Sequence, residues 1–267
     1  MEFKNITSLQ NPKIKDLVRL RDSKERERTG LTLIDGVREI RRAIEANVNF
    51  EELFLCRDIL GDFEEFDIVK KFLLLRKPIY EASKEVFEKI IYGNRNEGVI
   101  AVCKQPHKTF KDILLKKDSL IVVVEEVEKP GNLGAILRSC DGGGVTAVIV
   151  SNCKTDLYNP NVIRSSIGTV FNVMTISSDN QKALAYLKEN KIKIVATIPD
   201  GKKNYTKIDY KKPTAIVLGS EEAGLSNFWI VNADEKVNIP MLGKADSLNV
   251  SATAAVLTYE ALRQKTE

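Results

Sequence analysis

Apolar and polar positions change their rhythm near the middle of the chain. In the first hundred residues, short apolar runs alternate with amphipathic stretches. Asn11-Pro12 reads as a turn, and Lys13 to Glu27 as a charged helix with Ile14, Leu17, Val18 and Leu20 on its buried stripe. Leu31 to Ile34 predicts a strand, which Asp35-Gly36 turns into a helix over Val37 to Ala46. Phe54 to Cys56 predicts a second strand, and Phe72 to Leu75 with Pro78 to Tyr80 surround a third. Ser83 caps a helix containing Val86 and Ile90, and Gly98 to Val102 closes the set. Such alternation makes a small α/β layer domain.

From Gln105 to Asp118 the chain is rich in Lys and Asp and reads as a linker with a leading helix. The pattern then shifts. Leu120-Ile-Val-Val-Val124 is a continuous apolar run, as expected of a strand covered on both faces of a parallel sheet. Val145 to Val150, Val170 to Ile176, Ile192 to Thr197 and Thr214 to Leu218 repeat it, with helical segments between most of them. A last short strand runs through Val237 into Pro240, and a polar loop leads to a C-terminal helix in which Ala252, Ala254 and Ala255 leave little bulk. The predicted fold is α/β: a C-terminal domain over residues 118–267 with a mostly parallel sheet, a linker at 106–117, and a smaller N-terminal α/β domain over residues 1–105. No internal repeat interrupts this division.

Composition narrows the class. With 43% hydrophobic and 29% charged residues the chain has material for a real core. Its first residues, MEFKNITSLQ, lack an apolar signal core, and no uncharged run reaches the length of a membrane span. The expectation is a cytoplasmic protein with no membrane partner. Cys56, Cys103, Cys140 and Cys153 form no CxxC pair, which points to a reducing compartment and argues against a metal site. Residues 1–117 hold 24 Lys/Arg against 20 Asp/Glu and so carry the whole net charge of +4. Acids are interspersed among these bases, so a solvated face with ion pairs is one reading and an electrostatic footprint for nucleic-acid phosphates the other.

Open parallel sheets bind ligands beyond the carboxyl ends of their strands. One loop there, Glu125 to Arg138, turns at Pro130-Gly131, places Asn132 at or beside a helix cap, and carries Arg138 within the helix. Its Gly131-x-x-Gly134 is not the GxGxxG of a dinucleotide site, which disfavours a nicotinamide enzyme. A second loop, Leu218-Gly-Ser-Glu-Glu-Ala-Gly-Leu225, brackets two carboxylates between glycines that allow close backbone approach. The third, Met241 to Asn249, brings Ser247 and Asn249 to the mouth of the last helix, where caps belong.

These segments resemble the three motifs of the SpoU (TrmH-type) RNA ribose methyltransferases of the SPOUT superfamily. Pro130 to Arg138 is similar to the first motif, Val217 to Leu225 to the second, and Ile239-Pro-Met with Ser247-Leu-Asn-Val-Ser251 to the third. The N-terminal half resembles, more loosely, the family's ribosomal-protein-like substrate-binding domain. One departure is Cys140-Asp-Gly-Gly-Gly144, whose glycines are expected to weaken the end of the first motif's helix. The resemblance implies a trefoil knot and a homodimer paired through the C-terminal domain. It also implies S-adenosylmethionine held by Leu218, Gly219, Ile239, Met241 and Leu248, with transfer of its methyl group to a ribose 2′-hydroxyl of RNA. Large-subunit rRNA is the favoured substrate. The alternatives are a tRNA and a non-catalytic RNA-binding assembly factor.

The chemistry is constrained by what the chain lacks. His107 is its single histidine and falls in the linker. In the family, the matching arginine is proposed to activate the hydroxyl, which makes Arg138 the central candidate. Removing a proton from an ordinary arginine at neutral pH costs on the order of 8 kcal/mol, so Arg138 is expected to orient phosphate and stabilise the developing alkoxide instead. Asn132 would position the ribose or Arg138, Glu221 would hold Arg138 or Asn132 in place, and Ser247 and Asn249 would order the cofactor pocket. Lys13, Arg38 and Arg164 are the expected RNA contacts.

Overall fold

The computed structural model describes residues 3–62, 66–93 and 96–267. In its first part the elements are β1 (Lys4–Ile6), α1 (Pro12–Arg19), α2 (Ser23–Thr29), β2 (Leu31–Asp35), α3 (Val37–Glu45) and β3 (Phe50–Leu55). They continue with α4 (Arg57–Leu60), α5 (Asp67–Leu74), β4 (Ile79–Ala82), α6 (Lys84–Ile90) and β5 (Val99–Lys104). The second part begins with β6 (Leu120–Glu125), α7 (Pro130–Gly142), β7 (Ala147–Ser151), α8 (Pro160–Ser165) and β8 (Thr175–Ser178). It then runs through α9 (Asn180–Glu189), β9 (Lys193–Thr197), β10 (Lys203–Asn204), β11 (Thr214–Leu218), α10 (Asn227–Asn232), β12 (Glu235–Asn238) and α11 (Val250–Thr266).

The chain forms two compact units. One comprises the residues through Pro106 together with Tyr158–Asn172, the other His107–Leu157 with Val173–Glu267. The first unit is built on a five-stranded mixed sheet of order β1-β4-β3-β5-β2. Its N-terminal helical region is two helices where the apolar pattern predicts one. Asn11 caps α1 by accepting from the Lys13 N–H, and Asp22 caps α2 by accepting from the Lys24 N–H. Between them the chain breaks at Leu20–Asp22. Arg26 is 1% exposed, and its guanidinium donates to the Leu20 and Arg21 carbonyls freed by the break. Phe72 to Leu74 belong to α5 and do not flank a strand, because Ile68, Val69 and Phe72 share one buried helical face.

The excursion Tyr158–Asn172 joins this unit through definite contacts. Thr32 donates its hydroxyl to the Tyr158 carbonyl (2.7 Å), and Arg42 donates to the Ile167 carbonyl (2.6 Å). Gly168, at φ +85°, brings its backbone against Glu39 and Arg42. Thr169 to Phe171 form a short 3-10 turn here, so the strand predicted from Val170 begins only at Thr175.

The second unit carries a seven-stranded parallel sheet of order β10-β12-β9-β11-β6-β7-β8. Every residue of β6, β7 and β11 is buried, which accounts for the apolar runs at residues 120–124, 147–150 and 215–218 within them. Trp229, from α10, is fully buried in the core beside Ile121, Val123 and Ile194. Of Ala252, Ala254 and Ala255 in α11, Ala254 is buried, Ala255 is half-buried and Ala252 is exposed.

The glycine tract after Cys140 has a packing reason. A Cβ on Gly143 would stand 2.2 Å from Thr258 Cγ2, so the bare backbone lets α11 approach α7. The helix runs intact to Gly142, and Gly144 ends the turn at φ +64°. Gly143→Ala is expected to destabilise the protein by about 1–3 kcal/mol through overpacking. Adding Thr258→Ser, which removes the obstructing methyl, should recover most of that loss in urea unfolding.

Candidate functional site

Because the sheet of the second unit is parallel, the carboxyl ends of β6, β9, β11 and β12 lie along one edge, where ligand sites of such sheets form. The loops that leave β9, β11 and β12 enclose a cleft of about 430 Å³, in the range of small-molecule sites. All five residues expected to hold the cofactor, Leu218, Gly219, Ile239, Met241 and Leu248, line it, as do Glu221 and Ser247.

Gly219 explains why the β11 loop needs glycine. A Cβ there would fall 2.1–2.3 Å from the backbone of Gly224 and Leu225. The loop folds back tightly, with Ser220 and Gly224 exchanging two backbone hydrogen bonds of 3.1 Å and Gly224 at φ +67°. Its two limbs touch, leaving backbone as the cleft wall.

Three of the predicted polar residues meet in one chain of hydrogen bonds. Asn132, in the first turn of α7, donates its amide to Glu221 and accepts at Oδ1 from the Asn249 amide at 3.3 Å. Asn249 caps α11, its Oδ1 accepting from the Ser251 N–H (2.9 Å) and hydroxyl (2.7 Å). The loops after β6, β11 and β12 are therefore joined by side chains from each of the three sequence motifs. Glu221 is engaged with Asn132. Arg138 lies six residues beyond Asn132, about 9 Å along the helix axis. It is exposed, with no hydrogen-bond or ion-pair partner among the described residues.

The loop after β9 was not singled out by sequence, yet Thr197, Ile198, Pro199 and Asp200 form part of the wall. The Pro199-Asp200-Gly201 turn directly after an apolar strand is the available signal. Gly201 is required there, because a Cβ would sit 2.3 Å from the Val237 backbone. The lining contains Asp200, Glu221, Glu222 and Asp246 and, among the described residues, no lysine or arginine. His107 is exposed and does not line the cleft.

The three expected RNA contacts lie in the first unit and differ in availability. Lys13 pairs with Glu52 and stands 5.9 Å from the Tyr80 ring centre. Arg164 donates to the Tyr92 carbonyl and acts on Asp35, whose carboxyl is pushed up to about 6 by burial against the opposing pull of the Tyr92 N–H and Arg164. Both are engaged within the unit. Arg38 is exposed on α3 beside Arg41 and Arg42, in an open groove of about 560 Å³. Arg41 is held by Asp67 through bonds of 2.8 and 2.9 Å and Arg42 donates to the Ile167 carbonyl, while Arg38 has no ion-pair or hydrogen-bond partner among the described residues. Among the described residues no cluster of three or more His, Cys, Asp or Glu is placed to hold a metal ion, and no helix is long and apolar enough to cross a membrane.

Comparison with known proteins agrees with this arrangement. The SpoU rRNA methylase family model matches residues 119–259, and that of the MRM3-like substrate-binding domain matches residues 11–101. The 23S rRNA (guanosine(2553)-2′-O)-methyltransferase RlmP of Bacillus subtilis (strain 168) is 26% identical over 96% of this chain and 98% of its own length. A crystal structure of an RNA 2′-O ribose methyltransferase is 38% identical, with a TM-score of 0.86, covering 98% of this chain and 100% of that one. The AdoMet-bound rRNA methyltransferase from Sinorhizobium meliloti is 27% identical, with a TM-score of 0.89 and 98% of each chain covered. By these matches, and by the residues that meet at the edge of the parallel sheet, the chain belongs to the SpoU rRNA methylase family and is an RNA methyltransferase.

Proposed function

We propose that this protein transfers the methyl group of S-adenosylmethionine to a ribose 2′-oxygen in structured RNA, with large-subunit rRNA as substrate. The observation that carries the reading is the joining of Asn132, Glu221 and Asn249 at the rim of a backbone-walled cleft. The cleft suits the donor: its carboxylate-bearing lining favours a cation, and Gly219 lets the two limbs of its loop close against each other as the wall. Leu218, Gly219, Ile239, Met241 and Leu248 would hold the cofactor, with Ser247 ordering the loop around it. When bound, it supplies an electrophilic methyl group on a sulfonium.

The 2′-oxygen must give up its proton to solvent water as the new C–O bond forms and the C–S bond breaks. Arg138 keeps its charge, orients a neighbouring phosphate and stabilises the developing alkoxide. Glu221 fixes the Asn132 amide, and Asn132 with Asn249 positions the ribose. In this reading the chain after β12 is threaded as a trefoil knot, and two copies pair through the C-terminal domain. Leu242 (100% exposed) and Tyr259 (51% exposed) give that pairing an apolar surface.

RNA recognition falls to residues 1–105, and the near full-length likeness to a 23S rRNA enzyme favours rRNA over tRNA. Methyl transfer from labelled S-adenosylmethionine should appear in large-subunit rRNA and not in tRNA. A tRNA product would select the alternative substrate, and no transfer to any RNA would leave an assembly factor. Deleting residues 1–105 is a poor test of recognition, because Val162, Ile163 and Phe171 are buried within the same unit. Arg38→Glu is the sharper probe. RNA affinity should fall roughly tenfold, with a shallower dependence on salt, at unchanged cofactor affinity. Unchanged RNA binding would remove Arg38 from the interface.

A further inference from the structure

Beside the cleft lies a buried polar cluster that the reaction as described does not use. Val124 pairs with Leu218 across β6 and β11, so Glu125 stands one residue further, at the level where Gly219 leaves the sheet. Glu125 is 1% exposed. Its Oε2 accepts from the Ser226 N–H (2.8 Å), and its Oε1 accepts from the Ser226 hydroxyl (2.7 Å) and the Asn180 amide (2.5 Å). The Asn180 Oδ1 in turn accepts from the Ser151 hydroxyl and the Trp229 indole N–H, so the amide's orientation is set from both ends.

A carboxylate buried this far carries a large desolvation penalty, and five donors converge to compensate this group or its partner amide. What they hold is specific. Ser226 directly follows Leu225, which lines the cleft and whose backbone occupies the space a Gly219 side chain would need. The loop's neck is closed by Ser220 and Gly224, while its returning limb is anchored on Glu125. Glu221 lies within the loop so closed, between Ser220 and Gly224.

We propose that Glu125 is a positioning residue for the methyl-donor site: through Ser226 it holds the returning limb of the Gly219–Leu225 loop in the shape that walls the cleft and presents Glu221 to Asn132. This rests on the reading of the cleft as the S-adenosylmethionine site. In Glu125→Gln an NH2 group replaces one carboxylate oxygen and faces either the Ser226 N–H or the Asn180 amide, donor against donor, so the cluster must shift.

Calorimetry with S-adenosylmethionine on the full chain tests this without RNA. Glu125→Gln should raise the dissociation constant at least about tenfold and Ser226→Ala about threefold, because Ser226→Ala keeps the backbone bond. The double variant should be no weaker than Glu125→Gln alone, since the carboxylate acts through Ser226. Turnover at saturating cofactor should also fall in Glu125→Gln, with RNA affinity unchanged. If the variants only lower the unfolding temperature, while the folded protein binds cofactor and turns over as before, the assignment is overturned. If Glu125→Gln fails to fold, Ser226→Ala decides, and an unchanged dissociation constant there overturns it. A wild-type chain that does not bind the donor overturns the donor-site reading and this assignment with it. A wild-type chain that binds, with variants binding equally, overturns this assignment alone.

Discussion

Replacing Arg138 by alanine should lower turnover by roughly a thousandfold while leaving S-adenosylmethionine affinity within about twofold of the wild type. The magnitude is that of removing one fixed donor from a developing oxyanion. The separation follows from geometry, since Arg138 is exposed on α7 and is not among the residues that line the cleft. With no partner among the described residues, its guanidinium is available to phosphate at no cost in broken ion pairs. Arg138→Lys should restore only part of the rate, because an ammonium keeps the charge but not the planar fork that grips phosphate at two points. Single-turnover rates at saturating cofactor and RNA, with calorimetry of donor binding, would check this. Lost donor binding would move Arg138 into the cofactor site, and an undiminished rate would remove it from the chemistry.

Gly219→Ala is expected to weaken S-adenosylmethionine binding between about tenfold and a hundredfold. One added methyl group cannot be accommodated 2.1 Å from the Gly224 carbonyl carbon and 2.2 Å from the Leu225 nitrogen. Backbone does not yield as a flexible side chain does, so the loop must open. Overpacking of this kind costs about 1–3 kcal/mol, and about 1.4 kcal/mol is a factor of ten in affinity. Moving the loop also moves Glu221, so turnover at saturating donor should fall with it. A folded Gly219→Ala chain that binds donor normally would show that this wall is not part of the cofactor site. Gly224→Ala makes a useful contrast. No atom lies within 4 Å of its would-be Cβ, so its penalty should come from φ +67° alone and be the smaller.

Much of this architecture is legible along the chain. Unbroken apolar runs rich in β-branched residues, such as Leu120 to Val124, read as strands covered on both faces, and they announce a parallel sheet. Once the sheet is parallel, the loops carrying Asn132, Glu221 and Asn249 must emerge at one edge. The motifs were therefore readable as a site before any distance was known. Local ambiguity was harder. Phe72 to Leu75 is apolar enough for a strand, and the stripe formed with Ile68 and Val69 is what makes it helix. The break between α1 and α2 depends on Arg26 folding back onto the Leu20 and Arg21 carbonyls, an interaction no periodicity encodes.

Charge was the least transparent layer. Lys13 and Arg164 read as phosphate contacts because they are basic and well placed in sequence, yet Glu52 and the Tyr92 carbonyl engage them inside the first unit. Residue type and order along the chain establish periodicity, turn chemistry and which loops leave the same sheet edge, because these follow from backbone geometry acting over a few residues. Which cation stays free, which glycine admits a neighbouring backbone, and which carboxylate is buried beneath a loop depend on groups far apart in sequence. Glu125 and Ser226 are 101 residues apart, and packing alone brings them within hydrogen-bonding reach.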